Sequence, residues 1–269
     1  MTELTHTGRA IRVSIRTSAP AALAWQAWTD PHHLTRWFAD RAEGQCQTGN
    51  LLAWRFDRFD MSMRYRVLFA EEGQRLVLGP ESAASAFKLE VLVEDGGGET
   101  VIRVINSGLE EDVELEDELA GIESGWQMAL GILKHYLENY WGKDRQSFFA
   151  VREATFEYDQ LITFYREEFK LAQWLTNEGA IVSGKPTVRL VLRDGRSIGG
   201  AILAETPREI AVAWDEINGV IEFKAFSLGP GQRAVCIRGC GWGLNTEEAR
   251  VIEASMESAL ERLIAVLDQ

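Results

Sequence analysis

The feature that most constrains this chain is that it repeats itself. The displacement that carries Trp37 onto Trp174 also carries Trp28 onto Tyr165, Trp25 onto Ile162, and LLAWRFD (51–57) onto VRLVLRD (188–194). After a short gap, FAEEGQRLVLG (69–79) lies over AETPREIAVAW (204–214), and WQMALGILKHYL (126–137) lies over MESALERLIAVL (256–267). Identities are few, yet apolar and polar positions agree in order along the whole length. Chance produces one such match but hardly a series of them. Two homologous domains are expected, residues 1–142 and 143–269, joined near WGKDRQSFFA.

Within the first copy the hydrophobic period is two. IRVSIR sets Ile11, Val13 and Ile15 against Arg12, Ser14 and Arg16. LLAWRF puts Leu52, Trp54 and Phe56 on one side, and MRYRVLF groups Met63, Tyr65, Val67 and Phe69. FKLEVLV aligns Phe87, Leu89, Val91 and Val93 against Lys88 and Glu90, and in TVIRVIN the residues Ile102, Val104 and Asn106 point inward. Half-buried strands at hairpin spacing make an antiparallel sheet with one wet face. Helices bracket it. Ser18-Ala19-Pro20 is read as the start of the first, with proline just inside, and Asp30-Pro31 as its stop. The last, ESGWQMALGILKHYLENYW, spaces Ile122, Trp126, Leu130, Leu133 and Leu137 along one stripe. A strongly curved sheet must wrap that helix to bury the stripe. The fold class is therefore α+β, used twice.

A net charge of −13 and a pI near 4.9 argue against nucleic acid or anionic membranes as partners. No apolar run reaches the roughly 20 residues that cross a bilayer, and MTELTHTGRAIRVSI lacks the layout of a signal peptide. Cys46, Cys236 and Cys240 form no even framework, so a reducing cytoplasm is expected. Cys236 and Cys240 read as small buried hydrophobes rather than half a metal site. No metal or other cofactor is expected.

The residues that follow one another here resemble a known family. Ala19-Pro20, Trp28-Thr29-Asp30-Pro31, Trp37 and Gly125-Trp126 match the pattern of the SRPBCC, or START-like, superfamily. Within it they are most similar to the group of activators of the 90-kDa heat-shock protein ATPase (Aha-type). The resemblance spans about residues 9 to 141 and reaches the second copy only through the internal repeat. There Arg166-Glu167 stands in place of Asp-Pro and Met256 in place of Trp126. It implies a helix-grip fold in which a curved sheet and a long helix enclose an apolar cavity. It also implies binding of lipids, steroids, polyketides or hormones, with cyclases and a co-chaperone among the relatives.

Trp25, Trp28 and Trp37 are read as packing residues that hold the short helices in place. The candidate ligand-binding residues are the inward side chains Trp54, Phe56, Met63, Tyr65, Phe87, Leu89 and Asn106, faced by Trp126, Leu130 and Leu133. An apolar pocket with a few polar groups is the usual form of a small-molecule site. A filled core would use the same residues, and the aliphatic set of the second copy (Leu190, Leu192, Ile202, Val212, Ile237) favours filling there. No catalytic residues are assigned. His32, His33 and His135 read as surface histidines, and the glycine-rich GPGQR and GCGWG lack the strand-to-helix setting of a phosphate loop. The acidic run EEDVELEDE (110–118) reads as a solvated segment, a lid or a docking strip. The expected partner is a hydrophobic small molecule, with a protein partner and a cyclase-type activity as alternatives.

Overall fold

The computed structural model describes residues 9–81, 86–109, 116–229 and 232–268. The chain divides into two compact units, Met1–Gly142 and Lys143–Gln269.

The first unit runs β1 (Arg9–Thr17), α1 (Ala21–Thr29), α2 (Pro31–Trp37), β2 (Arg41–Gly44), β3 (Leu51–Phe56), β4 (Met61–Glu71), β5 (Arg75–Pro80), β6 (Lys88–Asp95), β7 (Thr100–Leu109) and α3 (Glu116–Asn139). Its seven strands form one curved antiparallel sheet in the order β1-β7-β6-β5-β4-β3-β2. The second runs β8 (Gln146–Ala154), α4 (Tyr158–Arg166), α5 (Glu168–Trp174), β9 (Thr176–Glu178), β10 (Thr187–Leu192), β11 (Ser197–Glu205), β12 (Ile210–Trp214), β13 (Gly219–Gly229), β14 (Gln232–Gly241) and α6 (Thr246–Leu267). Its strand order, β8-β14-β13-β12-β11-β10-β9, is the same topology. Each unit is a helix-grip fold, with the sheet curved around its long helix.

Pairing along the sheets aligns the copies residue by residue. The row Val13–Val104–Val91–Leu76 of the first sheet answers to Ala150–Ile237–Phe223–Ile210 of the second. The next row, Ile11–Asn106–Leu89–Leu78–Val67, answers to Phe148–Gly239–Ile221–Val212–Ile202. A hydrogen bond is repeated too: the Trp37 indole donates to the carbonyl of Ala27 and the Trp174 indole to that of Phe164, both at 2.9 Å. Trp37 and Trp174 thus do the same scaffold work, pinning each second short helix to the first.

These rows correct the sequence alignment at two strands. Leu52, Trp54 and Phe56 are buried on β3, while Val188, Leu190 and Leu192 are buried on β10. Placing LLAWRFD on VRLVLRD is one residue out, because a single slip moves every side chain to the opposite face. β5 on β12 is out by one for the same reason. Phe69 is a second correction. The register shifts between Val67 and Phe69, so Phe69 leaves the inner face and lies exposed, with the Arg75 guanidinium over its ring.

Caps differ from expectation as well. Pro20 is itself the N-cap of α1 and no side chain caps that helix. Ser18 instead donates through its amide and hydroxyl to Glu138 near the end of α3, at 2.9 and 3.1 Å. Asp30 both ends α1 and caps α2 by accepting from His32 N at 2.8 Å, with Pro31 at the first helical position. α3 begins at Glu116, so Gly125-Trp126 lies well inside it rather than at its start. Its 24 residues span roughly 36 Å at 1.5 Å each, enough to cross the sheet. Residues 110–115, most of the acidic run, lie outside the described residues.

Candidate functional site

On the concave side of the first sheet the large side chains form a continuous series of rings. Trp28, buried on α1, meets Trp37 edge-on at 5.0 Å and Trp126 of α3 at 6.0 Å. Phe38, just past α2, joins the two sides. It stacks on Trp126 at 5.9 Å and stands edge-on to Trp54 at 5.4 Å and Phe56 at 5.3 Å. Trp54 continues to Tyr65 at 5.0 Å, and Tyr65 stacks on Phe87 at 5.9 Å. Edge-on and offset contacts at these separations are the favourable ones for aromatic quadrupoles.

The structure therefore brings together six of the candidates as one ring series or its immediate neighbours: Trp54, Phe56, Met63, Tyr65, Phe87 and Trp126. Met63 pairs across the hairpin with Trp54 and accepts a weak contact from the Tyr65 hydroxyl at 3.6 Å. Asn106 and Leu89 lie opposite each other on adjacent strands, and Asn106 accepts from the Trp126 indole at 3.4 Å. Leu130 and Leu133 are fully buried on α3, one and two turns beyond Trp126. Leu89 is likewise sealed, whereas Met63, Phe87 and Trp126 are only half-buried.

Phe38 is not among the candidates read from the sequence, although it touches the rings of three of them. The pair Trp37-Phe38 at a helix end is the available signal; which of the two faces the sheet is settled only by the helix ending there. Trp28, expected simply to pack, sits at 0% exposure in the same ring series.

Polar groups in this interior are poorly served. Trp28 Nε1 and Trp54 Nε1 are buried with no hydrogen-bond partner. The Asn106 amide donates to the Lys88 carbonyl at 3.5 Å. This bond and the one from Trp126 both lie beyond the ordinary limit of about 3.2 Å for N–H···O. Burial pushes the Tyr65 phenol up to about 12, so it stands ready as a neutral donor.

The histidines correct the surface reading. His32 is exposed, but His33 stacks on Trp141 at 3.8 Å and its Nδ1 lies 2.8 Å from the Tyr136 hydroxyl. Its pKa is lowered chiefly by desolvation. His135 is half-buried against Tyr140 at 5.2 Å rather than solvated. Among the described residues no group of three metal-ligating side chains converges. Cys236 and Cys240 lie buried in β14, and burial pushes the Cys236 thiol up to about 12. No helix among the described residues is long and apolar enough to cross a membrane.

The second unit fills the matching space. Phe148 takes the place of Ile11, and a side chain on Gly239, the counterpart of Asn106, would lie 2.4 Å from its ring. Met256 stands for Trp126, and Leu190, Val212, Ile221, Ile237, Leu260 and Leu263 close the core around it. Its buried ring donors find good partners: Tyr165 Oη reaches the Lys224 carbonyl at 2.9 Å and Trp214 Nε1 the Ser197 carbonyl at 2.8 Å.

Among known families, residues 18–138 match the profile of the one described as Activator of Hsp90 ATPase homolog 1-like protein. Among solved structures, the Aha1 dimer from Colwellia psychrerythraea is 20% identical over 50% of this chain and 99% of its own, with a TM-score of 0.45. DynU16, from the dynemicin biosynthetic locus, is 20% identical over 96% of this chain and 98% of its own, with a TM-score of 0.44. The di-domain ARO/CYC BexL of the BE-7585A biosynthetic pathway is 12% identical over 97% and 99%, also at 0.44. No curated protein sequence matches the chain. The first unit therefore matches the Activator of Hsp90 ATPase homolog 1-like family over residues 18–138, and the second unit repeats its strand order.

Proposed function

We propose that the first unit binds a hydrophobic small molecule, lipid-like or polyketide-like, between its sheet and α3, and that it does so as a binding protein rather than an enzyme. The observation that carries this reading is the ring series on the concave face. Phe38, Met63, Phe87 and Trp126 belong to it or border it yet remain half-buried. The second unit sets Met256, which carries no ring, where the first has Trp126, and Gly239 where the first has the Asn106 amide. A half-open apolar wall with a few polar groups suits a small-molecule site, and Met63 gives it an adaptable edge. The second unit, with its closed core, then serves as a companion fold without a pocket of its own.

A thermal-shift screen of the full chain with fatty acids, sterols and polycyclic aromatics tests the reading. A ligand that binds the native state raises the melting temperature by mass action. A flat response across the screen, together with a Trp54→Ala variant that is merely less stable, ends the proposal.

A second reading has an observation of its own. The β3–β4 hairpin exposes Phe59 and Met61 and carries part of a groove of about 420 Å³ lined by Arg41, Arg55 and Arg64. Apolar side chains beside arginines suit a protein partner in an otherwise acidic chain. Capture of a partner by the wild type and not by a Phe59→Ser, Met61→Ser double variant would favour it.

A further inference from the structure

Resting on the pocket reading, we infer that the ligand of the first unit is an uncharged, largely aromatic molecule bearing a carbonyl-type acceptor oxygen, which the Trp54 and Trp28 indole N–H groups are placed to bind. Buried polar groups in native proteins are almost always hydrogen-bonded, and each exception calls for a cause. Two such exceptions in the first unit are indole donors that share one neighbour. Trp28 and Trp54, at 0% and 1% exposure, have unpartnered N–H groups, and both rings lie against Phe38, at 6.2 and 5.4 Å.

The rest of the chain shows that this is no general looseness of its tryptophans. Trp37, Trp174 and Trp214 all bond backbone carbonyls at 2.8–2.9 Å. At the repeat counterpart of Trp28, Tyr165 is also well bonded. Unmet indoles thus coincide with the copy in which Phe38, Phe87 and Trp126 of the ring series stay half-buried.

Both orphaned groups are donors, which calls for an acceptor. The ring series contains no lysine, arginine or histidine, so a carboxylate or phosphate would be buried there without a counter-charge. A carbonyl or ether oxygen carries no such penalty, and flat rings match the walls. Phe38, itself half-buried, is the side chain whose rotation admits the oxygen to both indoles.

Fluorenone and fluorene separate the acceptor from the shape. They share a flat three-ring frame and differ by a carbonyl in place of a methylene. In equilibrium dialysis with the full chain, fluorenone is expected to bind roughly tenfold more tightly, the worth of one hydrogen bond to an otherwise unpaired donor. Trp54→Phe is expected to bring the ratio of the two affinities close to one, the ratio rather than either affinity being the readout; if that variant does not melt cooperatively, Trp28→Phe carries the same comparison. Equal binding of the two compounds, or a preference untouched in both variants, overturns the acceptor inference and leaves the pocket standing. Binding of neither, with a flat thermal-shift screen, overturns both.

Discussion

Where the first unit sets Asn106 beside Ile11, the second sets Gly239 beside Phe148. The two sheets have the same strand order, the same paired short helices and the same tryptophan-to-carbonyl pin. They differ in what stands on the concave face. One copy places a ring series with unmet indoles there; the other packs Phe148 against Trp214, and Phe223 against Tyr165 and Trp174, among buried aliphatic side chains, with its ring donors met. The lesson is that the scaffold of this fold and the contents of its grip are separable. The pin on the short helices survives the divergence because it holds the backbone. The interior groups do not, since a closed core needs volume rather than particular polar atoms.

That contrast can be broken most forcefully in the second unit. Phe148→Ala should cost about 3–5 kcal/mol in denaturant unfolding, as for any large ring removed from a filled core. A loss under about 1 kcal/mol would mean the second interior is as open as the first. Next come the pins. Trp37→Phe and Trp174→Phe should each cost about 2–3 kcal/mol, combining lost packing with an orphaned carbonyl. Trp54→Phe should cost visibly less, because the group it removes was already unpaired. Equal costs for all three would erase the distinction between satisfied and unmet indoles. Gly239→Ala should destabilise by about 1–3 kcal/mol. Its added carbon would sit 2.2 Å from the Val220 carbonyl, a backbone atom that cannot swing aside.

The smallest expected effect is a pH dependence confined to the first unit. Burial lowers the pKa of His33 from 6.5. The unfolded chain therefore takes up this proton before the folded one does. Stability contributed by neutral His33 is complete above pH 6.5 and is lost as pH falls toward its lowered folded value. Melting temperatures across that range should fall more for the wild type than for His33→Gln; parallel curves would show that the Tyr136 and Trp141 contacts do not depend on its charge.

Much of this architecture was legible because it rests on local periodicity. Alternation identified the inner faces of β1, β3, β6 and β7, and the spacing of Trp126, Leu130, Leu133 and Leu137 identified the helix that crosses them. The matched Trp37 and Trp174 pointed to one plan used twice. Phe69 escaped because an extra residue in β4 reverses parity without any mark in composition. His33 escaped because its stacking partner, Trp141, and its hydrogen-bond partner, Tyr136, lie a hundred residues away.

By itself, then, the order of residues determined the α+β class, the tandem plan and the inward face of the regular strands, for these follow from backbone period and from burial of apolar surface. Only the tertiary structure decided which inward groups meet a partner. It placed Phe38 against the indoles of Trp28, Trp37, Trp54 and Trp126, put Phe148 beside the position where the first copy keeps an amide, and left Trp28 and Trp54 without an acceptor. Whether a buried donor is satisfied depends on atoms brought within about 3 Å from distant parts of the chain, and no local pattern carries that distance.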